Sequence, residues 1–133
     1  MDRLFLDANV LFSAAYKRDA HVFRLWKLEG VFLCSSRYAL EEARFNLAEA
    51  NQRQRLMDLS EKLQFYEARE RALPSGISLP EKDAPILLAA IDARANYLVT
   101  GDLTHFGRYF DQRVEGVVIV SPARYFKIRS EAK

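Results

Sequence analysis

The feature that most constrains what this chain can fold into is a rhythm. Short apolar runs recur along its whole length, separated by stretches long enough to form amphipathic helices. Parallel strands need a crossover of roughly a dozen residues, usually helical, so this alternation predicts an α/β domain built on a mostly parallel sheet. The runs place strands at residues 3–7, 31–35, 77–79, 97–100 and 117–121, giving a sheet of four or five strands. Residues 20–29 carry Val22, Phe23, Leu25, Trp26 and Leu28 at helical spacing, and residues 51–72 repeat Leu56, Leu59, Leu63 and Tyr66. Both segments read as helices that cover the sheet. Leu73-Pro74-Ser75-Gly76 breaks the second, and the chain is expected to re-enter the sheet before Pro80. Residues 129–133 read as a polar, frayed end.

A chain of 133 residues that is half hydrophobic can close one core and is too short for two ordinary domains, so residues 1–133 are expected to form a single domain. The net charge of +2 and pI near 8.8 are mild, but the basic residues are mostly Arg, which suits planar contact with phosphate. The lone Cys34 cannot form an internal disulfide and sits in an apolar run, where a buried, inert thiol is expected. No apolar stretch approaches the roughly 20 residues of a membrane span, and Asp7 interrupts the N-terminus before a signal-peptide core can form. A cytoplasmic protein with no membrane partner is expected.

Four carboxylates stand where strands and helices would aim them at one place. Asp7 ends the run Leu4-Phe5-Leu6, Asp102 follows Tyr97-Leu98-Val99-Thr100-Gly101, Asp83 opens a helical pattern introduced by Pro85, and Glu42 lies on the helix after Ser36. Ligands of parallel sheets bind beyond the carboxyl ends of strands, where Asp7 and Asp102 both fall. On neighbouring strands, about 4.8 Å apart, the two could share one hydrated cation. Hard oxygen ligands suit Mg²⁺ or Mn²⁺, and neither a His/Cys zinc set nor an EF-hand loop is present.

Each acid also has a plainer reading. An Asp at a strand end can simply turn the chain, and Asp83 with Pro85 two residues on fits a helix N-cap. Glu42 stands beside Glu41, and helical spacing separates the two. Glu41 has Arg37 at i−4 and Arg44 at i+3, the setting of a surface ion pair, whereas Glu42 has Tyr38 and Phe45 on a partly apolar stripe. Glu42 is therefore the one expected to face a site. Asn9 and Thr100 are placed to fix carboxylates by hydrogen bonds, although Thr100 also fits a strand residue bonded locally. His105, in Gly101-Asp102-Leu103-Thr104-His105-Phe106, is placed where it could approach a phosphate, with packing or capping of the turn before Phe106 as the favoured reading, and His21 reads as an ordinary helix opening. Arg44, Arg108 and Arg124 are candidates for a phosphate-facing rim, with a solvated surface as the default for each.

The segments RLFLDANVLFSAA, SSRYALEEARFNL, LPEKDAPILLAAIDARANYLVTGDLTHF and VVIVSPARYF together resemble a PIN domain, in the family's order and over nearly the whole chain. The likeness extends to small prokaryotic PIN proteins similar to VapC toxin ribonucleases. The resemblance implies a three-layer α/β/α sandwich and cleavage of RNA phosphodiester bonds with Mg²⁺ or Mn²⁺. Its four acids fall on Asp7, Glu42, Asp83 and Asp102, with Asp7, Asp83 and Asp102 as direct metal ligands and Glu42 ligating or orienting a water. It also implies an antitoxin that blocks the pocket and a homodimer formed through helical faces, for which residues 53–73 offer an amphipathic stretch.

Three other readings compete for the same residues. A haloacid-dehalogenase-like phosphatase resembles a pattern with a second Asp where this chain has Asn9. A response-regulator receiver resembles one with a late strand-end Lys, where this chain runs into Ser121-Pro122. A PIN fold kept only as an RNA- or partner-binding module remains, because a fold does not itself grant activity. Presence of all four acids favours the nuclease.

Overall fold

A computed structural model describes residues 1–132. The strands are β1 (Asp2–Leu6), β2 (Val31–Ser35), β3 (Gln64–Phe65), β4 (Tyr97–Val99), β5 (Arg113–Val114) and β6 (Val117–Val120). The helices are α1 (Ala8–Tyr16), α2 (Arg37–Asn46), α3 (Ala50–Ser60), α4 (Ala84–Asp92) and α5 (Pro122–Glu131). They build a six-stranded sheet in the order β3-β2-β1-β4-β6-β5, parallel except for β5. From β1 the chain winds outward through β2 to β3, then returns to place β4 on the other side of β1. With right-handed crossovers this reversal sends α1, α2 and α3 to one face of the sheet and α4 to the other. The three-layer α/β/α architecture is therefore present, with its switch point between β1 and β4.

The central strands read as continuous apolar runs because both their faces are covered. Leu4, Phe5, Leu6, Leu98, Val99, Ile119 and Val120 are fully buried. Such burial is worth about 1.5–3 kcal/mol for each large side chain. Helix starts are set by their caps. Ser36 accepts from the Ala39 amide at 3.1 Å, and Ser121, followed by Pro122, accepts from the Arg124 amide at 3.1 Å. Cys34 is buried as expected, and burial pushes its thiol up to about 12.

Four sequence expectations are corrected. Residues 77–79 are not a strand, because their amides are engaged elsewhere: Ile77 N–H closes a turn onto the Pro74 carbonyl at 3.1 Å and Ser78 N–H donates to the Tyr109 hydroxyl at 2.8 Å. The helix expected over 51–72 stops at Ser60, and Leu63 continues the apolar spacing from a turn that feeds β3. Residues 20–29 form a 3-10 helix over His21–Lys27, in which Leu25 and Trp26 are buried and the Trp26 indole donates to the Leu59 carbonyl at 3.0 Å. The expected frayed end is helical through Glu131, and Lys133 lies outside the described residues. The two strands missed, β3 and β5, have two residues each, too few to show a period. β5 joins β6 through Glu115-Gly116, both with positive φ (47° and 90°), the signature of a tight two-residue hairpin.

Candidate functional site

Asp7, Glu42, Asp83 and Asp102 line one cleft of about 280 Å³ at the switch point, together with Ala8, Asn9, Lys82 and Gly101. Asp7 leaves the end of β1 and caps α1, accepting the Ala8 amide on Oδ1 at 2.6 Å. The turning role and the site role thus coincide in one side chain. Its Oδ2 accepts from the Thr100 hydroxyl at 2.7 Å and from Asn9 Nδ2 at 3.1 Å. Asn9 also accepts the Gly101 amide on Oδ1 at 2.8 Å, which ties the start of α1 to the loop after β4.

Thr100 is the hub of this arrangement. Besides donating to Asp7, its hydroxyl accepts the Asp102 amide at 3.1 Å and Asn9 Nδ2 at 3.2 Å. Both of its anticipated roles are filled, the local bond and the bond across strands. Asp83 occupies the N-cap position of α4, yet its side chain makes no capping bond, and Pro85 removes one of the amides that would need one. The carboxylate turns into the cleft instead. Its Oδ1 lies 3.2 Å from Lys82 Nζ.

His105 joins the acids. Its backbone N–H donates to Asp102 Oδ1 at 3.0 Å, and Nδ1 lies 2.8 Å from Asp102 Oδ2 and 3.2 Å from Asp83 Oδ2. One ring nitrogen carries at most one proton, and its hydrogen bond goes to Asp102. Asp83 Oδ2 is left buried without a donor. Ligand atoms of Asp83, Asp102 and His105 lie within 4.8 Å of one another, the tightest metal-compatible grouping among the described residues. Asp7 sits outside it with both oxygens already accepting hydrogen bonds.

The electrostatics follow from this crowding. Burial pushes the Asp7 carboxyl up to about 6, against the pull of Thr100 and the Ala8 amide, and the charges of Asp83 and Glu42 add to the rise. Burial also acts to raise Asp102, but the backbone and ring hydrogen bonds from His105 outweigh it and hold Asp102 below its ordinary value. Burial works against the charge on Lys82, while Asp83, Glu42 and Asp102 raise its pKa overall. A set of hard oxygens with one uncompensated buried carboxylate oxygen fits a divalent cation.

Helix α2 sends its two glutamates in different directions. Glu41 pairs with Arg44 at 3.5 Å on the surface, while Glu42 turns to the cleft. The stripe shared by Glu42, Tyr38 and Phe45 is not core, however: Tyr38 is 41% exposed and Phe45 84%. Tyr38 borders the cleft, its hydroxyl donating to the Lys82 carbonyl at 2.7 Å. Arg44, Arg108 and Arg124 do not line the cleft. Arg108 lies over the Tyr109 ring and Arg124 pairs with Asp111. Sequence reasoning missed Lys82 and favoured a structural part for His105 over an approach to phosphate. Adjacency to Asp83 and the i+3 offset from Asp102 were the available signals.

Comparison with known proteins agrees with this geometry. The family model described as PIN domain matches residues 3–104. No curated protein matches the chain. Among solved structures, the chain is similar to one in the crystal structure of VapBC2 from Rickettsia felis bound to a DNA fragment from their promoter. That match has a TM-score of 0.62 and 16% identity, and covers 90% of this chain and 98% of the other, so it speaks to the fold. With its family's profile spanning both ends of the cleft and its sheet wound as described, the chain belongs to the PIN domain family.

Proposed function

We propose that this protein is a metal-dependent ribonuclease that hydrolyses RNA phosphodiester bonds, the toxin component of a toxin–antitoxin pair. The observation that carries the reading is the cleft itself, where four acids converge and Asp83 Oδ2 is buried without a donor. Burying a carboxylate oxygen uncompensated is costly, and a cation removes that cost. Asp7, Asp83 and Asp102 would hold Mg²⁺ or Mn²⁺. When bound, the ion supplies Lewis-acid polarisation and neutralises charge at the phosphate.

The chain's own residues supply the rest. Thr100 and Asn9 hold Asp7 in one orientation, and His105 does the same for Asp102. Glu42, half-buried on α2, orients the attacking water and takes its proton. The water oxygen then bonds to phosphorus as the bond to one ester oxygen breaks, and that oxygen keeps the bonding pair and leaves as a hydroxyl with a proton from solvent. The Rickettsia felis neighbour was solved as a complex of two proteins, which supports an antitoxin partner for this chain. Exposed Phe45 on α2 and Met57 on α3 offer apolar surface for that partner or for a homodimer. No helix among the described residues is long and apolar enough to cross a membrane, in keeping with a cytoplasmic site of action.

The test is cleavage of a panel of structured and single-stranded RNAs with Mg²⁺ or Mn²⁺, comparing the native chain with Asp7→Asn. Cleavage by the native chain and none by the folded variant is expected. Equal cutting by both, or by neither, would overturn the reading in favour of an RNA-binding module.

A further inference from the structure

Among the residues that line the acidic cleft, Lys82 is the one cation. An acidic cleft repels the phosphodiester it has to admit, and the arginines nearby give no relief: Arg44 is paired with Glu41, Arg124 with Asp111, and neither lines the cleft. Lys82 has the required mobility at its tip and the required fixity at its base. Its side chain is 55% exposed, with Nζ resting 3.2 Å from Asp83 Oδ1. Its main chain is held from across the cleft, where its carbonyl accepts the Tyr38 hydroxyl at 2.7 Å.

We propose that Lys82 is a substrate-contacting residue, whose ammonium leaves Asp83 when a divalent cation takes that carboxylate and then settles on a non-bridging oxygen of the RNA phosphate. The assignment rests on the ribonuclease reading for the identity of the substrate. Resting on Asp83, Lys82 offsets part of the charge among the acids. Displaced, it becomes a tethered positive charge in the cleft it lines. A flexible ammonium suits this exchange better than a planar guanidinium held in a bidentate pair.

Binding, rather than turnover, is the measurement that decides it. In a Glu42→Gln background, which spares the residues assigned to the metal, affinity for a short single-stranded oligoribonucleotide is measured by fluorescence anisotropy in Mn²⁺ across a range of KCl. Lys82→Met is expected to weaken binding about tenfold and to flatten the slope of log K against log salt by about 0.7, the loss of one phosphate contact on a single strand. Lys82→Arg is expected to keep the slope. The Mn²⁺-induced rise in Tm is expected to persist in Lys82→Met, since Asp83 loses a competitor. Unchanged affinity and slope in Lys82→Met overturns the proposal, and so does loss of the Mn²⁺ response together with RNA affinity, which would make Lys82 an organiser of the acids. Failure of the ribonuclease reading shows separately, as absence of cleavage by the native chain, and leaves the binding comparison decisive.

Discussion

Thr100 carries more of the site than any acid does on its own, because one hydroxyl serves three partners. It donates to Asp7 Oδ2 at 2.7 Å while accepting from the Asp102 amide and from Asn9. Thr100→Val keeps the shape and removes all three bonds, leaving the Asp102 amide without its partner and Asp7 Oδ2 with Asn9 as its one donor. The expected cost is about 1–3 kcal/mol of stability. RNA cleavage is expected to fall at least tenfold, with Thr100→Ser restoring most of both; urea melts and initial rates measure them, and a Val variant with native activity would sink the assignment. At this scale the sequence was informative about position and poor on partnership. Asp7, Asp83, Asp102 and Glu42 could be aimed at one place from strand ends and helical spacing. The approach of His105 to Asp83 as well as Asp102 could not, since only the fold brings the start of α4 beside the turn after β4.

Between β3 and α4 the chain crosses the sheet without a helix, and that irregular stretch delivers Lys82 and Asp83 to the cleft. Two of its anchors lie away from the cleft: Arg71 grips Asp92 at 2.8 Å, and the Tyr109 hydroxyl both accepts the Ser78 amide at 2.8 Å and donates to the Ser78 carbonyl at 3.1 Å. Tyr109→Phe removes the second anchor and strands both groups. A loss of about 1–3 kcal/mol is expected. Faster amide exchange is expected at Ser78 and the residues leading to Asp83, with the central strands unaffected. Exchange that stays at the native rate there would mean the stretch is held by its apolar contacts alone. This element also shows why part of the fold was illegible. β1, β2, β4 and β6 announce themselves as apolar runs, while Ile77 and Leu79 give the same signal from a loop packed on the core. Pattern records burial, and burial does not require a ladder.

For the whole molecule, the crowded cleft makes stability depend on pH in an unusual direction. Asp7 binds its proton with a pKa of about 6 when folded and about 3.8 when unfolded, so between those values the folded chain holds more protons. Stability from this group is therefore fully present below pH 4 and is lost as pH rises through 6, a decline on the order of 3 kcal/mol. Asp92 and Asp102 shift the other way, their pKa values lowered by Arg71 and by His105 respectively, so their contributions fade only as pH falls below the ordinary carboxylate value. The window from pH 4 to 6 belongs to Asp7. Without divalent metal, Tm is expected to fall across that window in the native chain and to stay nearly level in Asp7→Asn, which should be the more stable of the two at pH 7. Added Mn²⁺ should reverse the order, because an ion bound only by the folded chain at a hundred times its Kd contributes about 2.7 kcal/mol. That gain should grow as pH rises through 6 and protons stop competing for Asp7. A native Tm that is flat from pH 4 to 7, or an equal slope in Asp7→Asn, would show that the buried carboxylate is not under the strain its surroundings imply. A fall that Mn²⁺ repairs would tie the cost of assembling these acids to the binding of a divalent ion among them.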